Sequence, residues 1–338
     1  MNDGNPELAY ADIASSVAPF VSYSGVSLAN EYVSRSRDIA YFLDEAADAL
    51  ESLDTTPLFW PRLLAVIEQL RRSGNDPNWH RPLRAHRLAA LLHEEPATGW
   101  AFRRPRGYAG DAHLIDFLYE HPVVEAEIAL ASPRGRAISA MVLASPAPVA
   151  VQERRRLLAR LLDATAERVP GAEALVLACG HLREAELTHS LHTMRRLVAL
   201  DQDSQSIAEM QRTQRSNVPL MPVEASIGRM IVRPLVHGTF DLIYAAGLYD
   251  YLDCVTATRL TQGMFTALKP CGRMLFANFC TGIPDYGYMD AFMDWRLILR
   301  DEAEMQALID ALPRAEVARA SVFRGMNQAV VYALVQKR

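Results

Sequence analysis

The sequence predicts an α/β protein in which an all-helical region precedes an open, mostly parallel sheet. Strand patterns are scarce before about residue 145, whereas after Gly171 short apolar runs alternate with helix-forming segments. The first apolar run, Ala174–Ala178, is followed closely by Gly180, and the second, Leu197–Leu200, ends on Asp201. We therefore predict a helical cap domain over 1–145 and a sheet domain over 146–338.

The composition argues against several classes of protein. The 338 residues are 50% hydrophobic and 22% charged, with a formal net charge of −5, so nothing favours a nucleic-acid partner. No apolar run reaches the roughly eighteen residues of a membrane span, and the first 30 residues lack a signal peptide's apolar core. The four cysteines lack metal-ligand spacing, which predicts reduced thiols, no metal and a cytoplasmic location. We expect a small-molecule substrate.

The region before residue 145 has apolar residues at helical spacing, with prolines near the start of several segments. We interpret the later ERRRLLAR stretch, Glu153–Arg160, as a charged helix face. The predicted helices are Val26–Leu53, Pro61–Arg72, Pro82–His93, a segment after Asp111 that ends before Pro122, and a long helix that ends at Pro170.

The region after Gly171 predicts alternating strands and helices and a closing antiparallel hairpin. The predicted strands are Ala174–Ala178, Leu197–Leu200, Val218–Val223, Phe240–Ala245, Arg273–Phe279 and, near the C-terminus, Ala329–Val335. Of these, the third is interrupted by two prolines. The predicted helices are Arg183–Leu191, Ser204–Gln211, Thr256–Leu268 and Glu302–Leu312.

The pairing of Gly180 with Asp201 is typical of a nucleoside site. A tight turn after the first strand lets the backbone approach the ligand, and a carboxylate that ends the second strand accepts hydrogen bonds from ribose hydroxyls. A dinucleotide site would need GxGxxG, but Gly180 is followed by bulky residues and by Glu184, whose charge would repel a diphosphate. S-adenosylmethionine carries no phosphate, and Arg183 matches the carboxylate of its amino-acid end. These residues favour S-adenosylmethionine.

Several motifs carry a resemblance to a known family. They are GYAGD (Gly107–Asp111), GHLREAE, LDQD, GLYDYL, ANF and DYGYMDAFMDW. Residues 171–338 resemble a class I S-adenosylmethionine-dependent methyltransferase, which implies a Rossmann-like sheet with an antiparallel C-terminal strand. Residues 80–338 more narrowly resemble a bacterial subfamily with its own helical N-terminal domain. It includes enzymes that make fatty-acid methyl ester signals and is similar to azetidine-2-carboxylate synthases. Arg296 and Leu299 depart from the aromatic residues expected in methyl-transferring relatives.

The resemblance and the motif positions together predict the site residues. Tyr108 and Asp111 are predicted to cover the methionyl end, and Tyr249, Asn278 and Tyr288 to lie near the reacting centre, where ring faces stabilise a sulfonium. These five are the predicted catalytic residues. The predicted cofactor-binding residues are Arg106, Cys179, Gly180, His181, Arg183, Glu184, Asp201, Gln202, Ala225, Ser226, Ala245, Ala246 and Gly247.

Two activities follow from this prediction. The first is methyl transfer to a small or acyl carboxylate acceptor in signal or secondary-metabolite biosynthesis, which needs no strong base because a carboxylate is already nucleophilic. The second uses S-adenosylmethionine as substrate: its own amine attacks its γ-carbon and gives azetidine-2-carboxylate and methylthioadenosine, provided that the amine is neutral. A protein that binds the cofactor without turnover is the remaining alternative.

Overall fold

The computed structural model describes residues 36–52, 56–73, 76–213, 219–233 and 235–338. The start of the predicted helix Val26–Leu53 and its last residue lie outside these ranges, as does Val218, the first residue of a predicted strand. None of the helices in these ranges combines the length and the apolar character of a membrane span.

Two compact units make up the described chain. The helical unit contains the described residues up to Gln152 together with a later segment, Gly282–Arg296. The sheet unit contains Glu153–Thr281 and Leu297–Arg338. The segment 282–296 thus belongs to the helical unit, whereas the predicted division at residue 145 groups it with the sheet.

Short helices joined by tight turns build the helical unit. The apolar stripe that the sequence predicts on the first helix is buried, at Phe42, Leu43, Ala46 and Leu50. In chain order the helices are α1 Ser36–Glu51, α2 Thr56–Ser73, α3 Arg81–Ala85, α4 Arg87–Leu92, α5 Pro96–Arg103, α6 Ala112–Leu118, α7 Glu125–Leu130 and α8 Pro133–Leu143, followed by α9 Pro146–Arg168, which continues into the sheet unit.

Two of these helices differ from their predictions. The predicted helix Pro61–Arg72 begins earlier, at Thr56, so Pro61 lies inside α2. The predicted single helix Pro82–His93 is two helices, because His86 adopts an extended backbone, φ −81° and ψ 149°. The His86 Nδ1 accepts a hydrogen bond from the Leu88 amide, so the side chain that caps α4 also ends α3.

The sheet unit is organised around one seven-stranded sheet with strand order β3-β2-β1-β4-β5-β7-β6. Neighbouring strands among β1 to β5 are parallel to each other. Strand β7 is antiparallel to both β5 and β6, as the sequence predicts. The sheet is therefore Rossmann-like. Its strands are β1 Glu173–Leu177, β2 Arg196–Asp201, β3 Leu220–Glu224, β4 Phe240–Ala245, β5 Leu268–Phe279, β6 Val317–Arg324 and β7 Val330–Lys337.

Three of the remaining helices agree with their predictions within a few residues: α10 Ser204–Thr213, α12 Cys254–Thr266 and α14 Glu302–Asp310. Two others have no predicted counterpart: α11 Gly228–Val232, and α13 Tyr286–Phe292 in the helical unit. Strand β4 is buried along its whole length, and β1 and β2 are buried except at their first residue. Such burial is typical of central strands in a parallel sheet that is covered on both faces.

One predicted helix, Arg183–Leu191, is wrong. The chain forms only short 3₁₀ turns there, the first over Arg183–Leu187. The Asp163 carboxylate accepts hydrogen bonds from the amides of His189 and Ser190. Because a side chain holds these amides, they do not continue a regular helix.

Two strand predictions shift along the chain. The third strand is Leu220–Glu224 instead of Val218–Val223, and it forms an edge of the sheet, where a proline such as Pro222 is tolerated. The fifth strand begins at Leu268, before the predicted start at Arg273.

Candidate functional site

The carboxyl ends of the parallel strands gather the residues that the sequence assigns to a cofactor. Strand β1 lies between β2 and β4, so the turn at Gly180 is next to Asp201 of β2 and to Ala245 of β4. Open parallel sheets bind ligands at this edge, where the strand order reverses. The structure therefore brings the predicted turn and the predicted carboxylate together.

Asp201 joins the loop after β1 to the end of β2. Its Oδ2 accepts a hydrogen bond from the Gly180 amide at 2.8 Å, and its Oδ1 accepts one from the Asp203 amide at 2.9 Å. The carboxyl group is buried, and burial raises its pKa although these amides favour the charged form. Each carboxylate oxygen has a second lone pair, so the group still has the capacity to accept hydroxyl hydrogen bonds.

The loop after β1 bends sharply because its backbone returns repeatedly to the left-handed region. Ala178, Gly180 and Leu182 have φ angles of 49°, 54° and 52°. The intervening Cys179 is buried, and burial raises the pKa of its thiol well above the usual range. Cys179 therefore supplies backbone and packing to this loop, not a reactive thiolate.

Arg183 and His181 are buried in an ion-pair network. The Arg183 guanidinium donates to Glu186 Oε1 at 3.0 Å and to Glu209 Oε1 at 2.9 Å. It also lies 3.4 Å from His181 Nδ1. The sequence assigns Arg183 to a carboxylate of the cofactor, yet two carboxylates of the protein already hold its guanidinium. Its contacts in this structure stiffen the loop.

Glu184 ties the same loop to the sheet. The hydroxyl of Tyr244, on β4, donates to Glu184 Oε1 at 2.8 Å. The carboxyl group is buried, and burial raises its pKa. A buried carboxyl group at this position leaves no positive site for a diphosphate.

Arg154, which none of the sequence predictions names as a site residue, lies at the same edge of the sheet. The side chain, on α9, is only 5% exposed. Its Nη1 donates to the Ala246 carbonyl at 2.7 Å, and a Cβ added to Gly247 would lie 3.8 Å from its Nη2. Its Nε is buried without a hydrogen-bond partner.

Arg154 also lacks a carboxylate partner among the residues that the structure describes. No described aspartate or glutamate forms an ion pair with it, although it lies close enough to Asp250 and Glu184 to favour their charged forms. A buried guanidinium is normally paired, because an unpaired charge in the interior is costly. The Arg154 guanidinium therefore has the capacity to bind an anion.

A helical pattern in the sequence marks Arg154 as buried. Leu157, Leu158 and Leu161 follow it at the spacing of one helix face, and all three are buried. The interpretation of Glu153–Arg160 as a charged face is therefore wrong for this arginine, since it belongs to the apolar stripe.

The end of β4 provides the small residues that the sequence predicts. Ala245 is buried, and Ala246 and Gly247 are half-buried in the loop that follows. Small side chains leave space along this edge of the sheet, beside the Arg154 guanidinium.

Tyr249 and Asn278, two of the predicted catalytic residues, are fully engaged with the protein. The Tyr249 hydroxyl is 2.8 Å from Thr261 Oγ1, and burial raises its pKa. The Asn278 Oδ1 accepts a hydrogen bond from Arg300 at 2.6 Å, and its Nδ2 donates to the Ile298 carbonyl at 2.7 Å. Both side chains hold the ends of β4 and β5 in this structure.

Asp250, inside the GLYDYL motif, is a further buried carboxyl group. Its Oδ1 accepts a hydrogen bond from the Phe279 amide at 2.7 Å. Burial raises the pKa of Asp250 to about 6, while this amide and the nearby Arg154 and Arg300 guanidinium groups favour the charged form. The sequence analysis did not single out this residue.

Three of the predicted cofactor-binding residues lie past the ends of β2 and β3. Gln202 and Ser226 are exposed, whereas Ala225 is buried. The Ala225 amide donates to the Asp201 carbonyl at 2.8 Å, so the loop after β3 is fixed to the end of β2.

The other predicted site residues belong to the helical unit. Asp111 caps α6 by accepting a hydrogen bond from the Leu114 amide at 2.8 Å, and it also accepts one from Trp100 Nε1. The Tyr288 hydroxyl is 2.8 Å from Thr98 Oγ1, and burial raises its pKa. Arg106 and Tyr108 are half-buried in the loop before α6.

No protein-family model and no curated protein matches the sequence. Among solved structures, a candidate exported protein from Bordetella parapertussis is similar, with a TM-score of 0.58, 17% identity and coverage of 86% of this chain and 96% of that chain.

Two further solved structures are methyltransferases by name. A candidate methyltransferase from Thermobifida fusca has a TM-score of 0.50 and 16% identity, over 67% of this chain and 94% of that chain. The N-methyltransferase NodS from Bradyrhizobium japonicum, in complex with S-adenosylhomocysteine, has a TM-score of 0.40 and 19% identity, over 55% and 87% of the two chains. The first of these two, with the strand order described above, supports the Rossmann-like fold of the chain.

Proposed function

We propose that this protein binds S-adenosylmethionine and transfers its methyl group to a small acceptor, such as an acyl carboxylate. The observation that carries the proposal is the buried Asp201 carboxylate, which the Gly180 amide holds at the ligand-binding edge of the sheet. A ribose presents two adjacent hydroxyl donors, and a carboxylate at the end of the second strand is the usual acceptor for them in this kind of sheet.

The loop after β1 favours a nucleoside without a phosphate group. A diphosphate is normally bound by the N-terminus of a regular helix, whose free amides and dipole attract negative charge. In the described chain, β1 leads only into a 3₁₀ turn, Arg183–Leu187, and the buried Glu184 carboxyl group lies in that turn. These features support S-adenosylmethionine over a dinucleotide.

Arg154 supports the same cofactor from the opposite end. Its buried guanidinium has an unpartnered Nε and no described carboxylate as an ion-pair partner. The amino-acid end of S-adenosylmethionine carries a carboxylate, which is the group that a guanidinium binds best. We propose that Arg154, and not Arg183, pairs with this carboxylate.

The bound sulfonium would supply an electrophilic methyl group. The chain's own task is then to orient the cofactor, with Asp201 at the ribose and Arg154 at the amino-acid end, and to exclude water. A carboxylate acceptor needs no proton removed, so the neutral Tyr249 hydroxyl and the neutral Cys179 thiol are compatible with this chemistry.

The proposal is tested by product analysis. The purified protein is incubated with S-adenosylmethionine, with and without a series of carboxylic acids, and the nucleoside products are separated by mass spectrometry. We expect S-adenosylhomocysteine to form only when an acceptor is present. Methylthioadenosine formed without an acceptor would contradict methyl transfer and support cyclisation to azetidine-2-carboxylate. The absence of turnover with every acceptor would support a protein that binds the cofactor without catalysis.

A further inference from the structure

The helical unit contains a small cavity that none of the cofactor residues lines. It lies among α2, α8, the start of α9 and α13. Its volume, counted as the positions that the centre of a water-sized sphere can take, is 20 Å³. This space holds about one water-sized group. Its walls are mostly apolar and include Trp60, Val142, Ala147, Tyr288, Met289 and Trp295.

One buried polar atom in this lining has no partner. Asp285 is 3% exposed; its Oδ2 accepts a hydrogen bond from the Ala147 amide at 2.8 Å, while its Oδ1 is buried without a hydrogen bond. The other polar groups of the lining are satisfied, since the Trp60 Nε1 donates to Ser145 Oγ at 3.0 Å and the Tyr288 hydroxyl has its partner on α5. Asp285 therefore presents an unused acceptor to an apolar cavity.

The charges around Asp285 make its ionised carboxylate unfavourable when no donor or cation binds the free Oδ1. Burial, with a smaller contribution from the nearby Glu68 carboxylate, raises the pKa of Asp285 to about 6, although the Ala147 amide favours the charged form. No lysine or arginine lines the cavity in the described chain. A buried carboxylate is ordinarily matched by a cation or by several donors.

We propose that this cavity binds a single ammonium ion, with Asp285 as its counter-ion. An ammonium group is close to water in size, donates to the free Oδ1 and neutralises the buried charge. The rings of Trp60, Tyr288 and Trp295 line the same cavity and provide surfaces that attract a cation. The site goes beyond the proposed methyl transfer, because neither Asp201 nor Arg154 lines the cavity.

The test is calorimetric titration of the full chain, free of cofactor, with ammonium chloride at pH 8. We expect saturable binding by the native protein and at least about tenfold weaker binding by Asp285→Asn, which keeps the shape and removes the charge. The control Asp290→Asn lies on the same helix, α13, but its carboxylate faces Arg296 and Trp79, so it should bind normally. A second variant, Val142→Ile, adds a methylene to the wall and should also weaken binding.

Two results would overturn the proposal. Equal affinity of native protein and Asp285→Asn would show that the carboxylate is not the counter-ion. The same saturable heat with sodium chloride as with ammonium chloride would show that the signal does not come from an ammonium ion in the cavity. Since no cofactor is present, either result is independent of whether the protein transfers methyl groups.

Discussion

Two buried side chains, Asp201 and Arg154, define the two ends of the proposed cofactor site. Asp201 receives amides from two loops and keeps lone pairs for a ribose, whereas Arg154 has a guanidinium without a carboxylate. Because the two groups are proposed to bind different parts of S-adenosylmethionine, ligands that lack one part separate their contributions.

Replacing Arg154 with methionine should weaken S-adenosylhomocysteine binding by roughly 100-fold, since a charge-assisted pair with a carboxylate contributes about 3 kcal/mol. Binding of methylthioadenosine, which has no carboxylate, should not change. Calorimetric titration of both variants with both ligands measures the difference. Arg156→Met is the control, because Arg156 lies on the same helix but is exposed.

An equal loss of affinity for both ligands would mean that Arg154 supports the fold of the site and does not bind the amino-acid end. Unchanged binding of S-adenosylhomocysteine would show that another residue, such as Arg183, binds the carboxylate of its amino-acid end.

The sequence indicates the role of Asp201 but not that of Arg154. Asp201 ends an apolar run, and the position of such a carboxylate is set by the strand itself, so local pattern is sufficient. Arg154 stands in a run of three arginines, and only the leucines that follow show which of the three is buried. Whether a buried arginine has an ion-pair partner depends on residues far away in the chain and is visible only in the structure.

Among the elements, the packing of α13 on α2 depends on Gly287. A Cβ at this position would lie 2.9 Å from the Glu68 Cα and amide nitrogen and 3.0 Å from the Ile67 carbonyl carbon. These are backbone atoms, so they have no rotamer by which to move away. Glycine is therefore required for the two helices to approach this closely.

Gly287→Ala should destabilise the protein by roughly 2–3 kcal/mol, although alanine is intrinsically the better helix former. Gly228→Ala is the matched control on α11, where the nearest atom to an added Cβ is 3.9 Å away, and it should leave stability unchanged or raise it. Urea unfolding of both variants measures the effect. Equal stability of the two would show that α13 has room to shift on α2.

Elements with strong periodicity are predictable from the sequence, and those fixed by side-chain contacts are not. The parallel strands and the C-terminal hairpin follow from apolar runs of the right length. The segment after β1 has helix-forming residues, but Asp163 holds two of its amides and keeps it in 3₁₀ turns. The break at His86 likewise depends on one side chain bonding to a nearby amide.

For the whole molecule, the buried Asp250 makes stability depend on pH. Its folded pKa, about 6, is above the ordinary value of 3.8. Between about pH 4 and pH 6 the folded protein keeps a proton that the unfolded chain has lost, so this group lowers stability as the pH rises through that window. The full loss, about 3 kcal/mol, is present above pH 6.

Asp250→Asn should remove this dependence. The free energy of unfolding of the variant relative to the native protein should rise by about 3 kcal/mol between pH 4 and pH 7.5. Urea unfolding at several pH values gives both curves. A difference that stays constant across this range would show that the Asp250 carboxyl titrates normally in the folded protein.

The most direct measurement of the central claim is the preference for a ribose over a 2′-deoxyribose. Native protein and Asp201→Asn are titrated calorimetrically with methylthioadenosine and with its 2′-deoxy form. We expect the native protein to bind the ribonucleoside at least about tenfold more tightly, and the variant to bind both forms alike. The same preference in both proteins, or no binding of either nucleoside by well-folded native protein, would contradict the account.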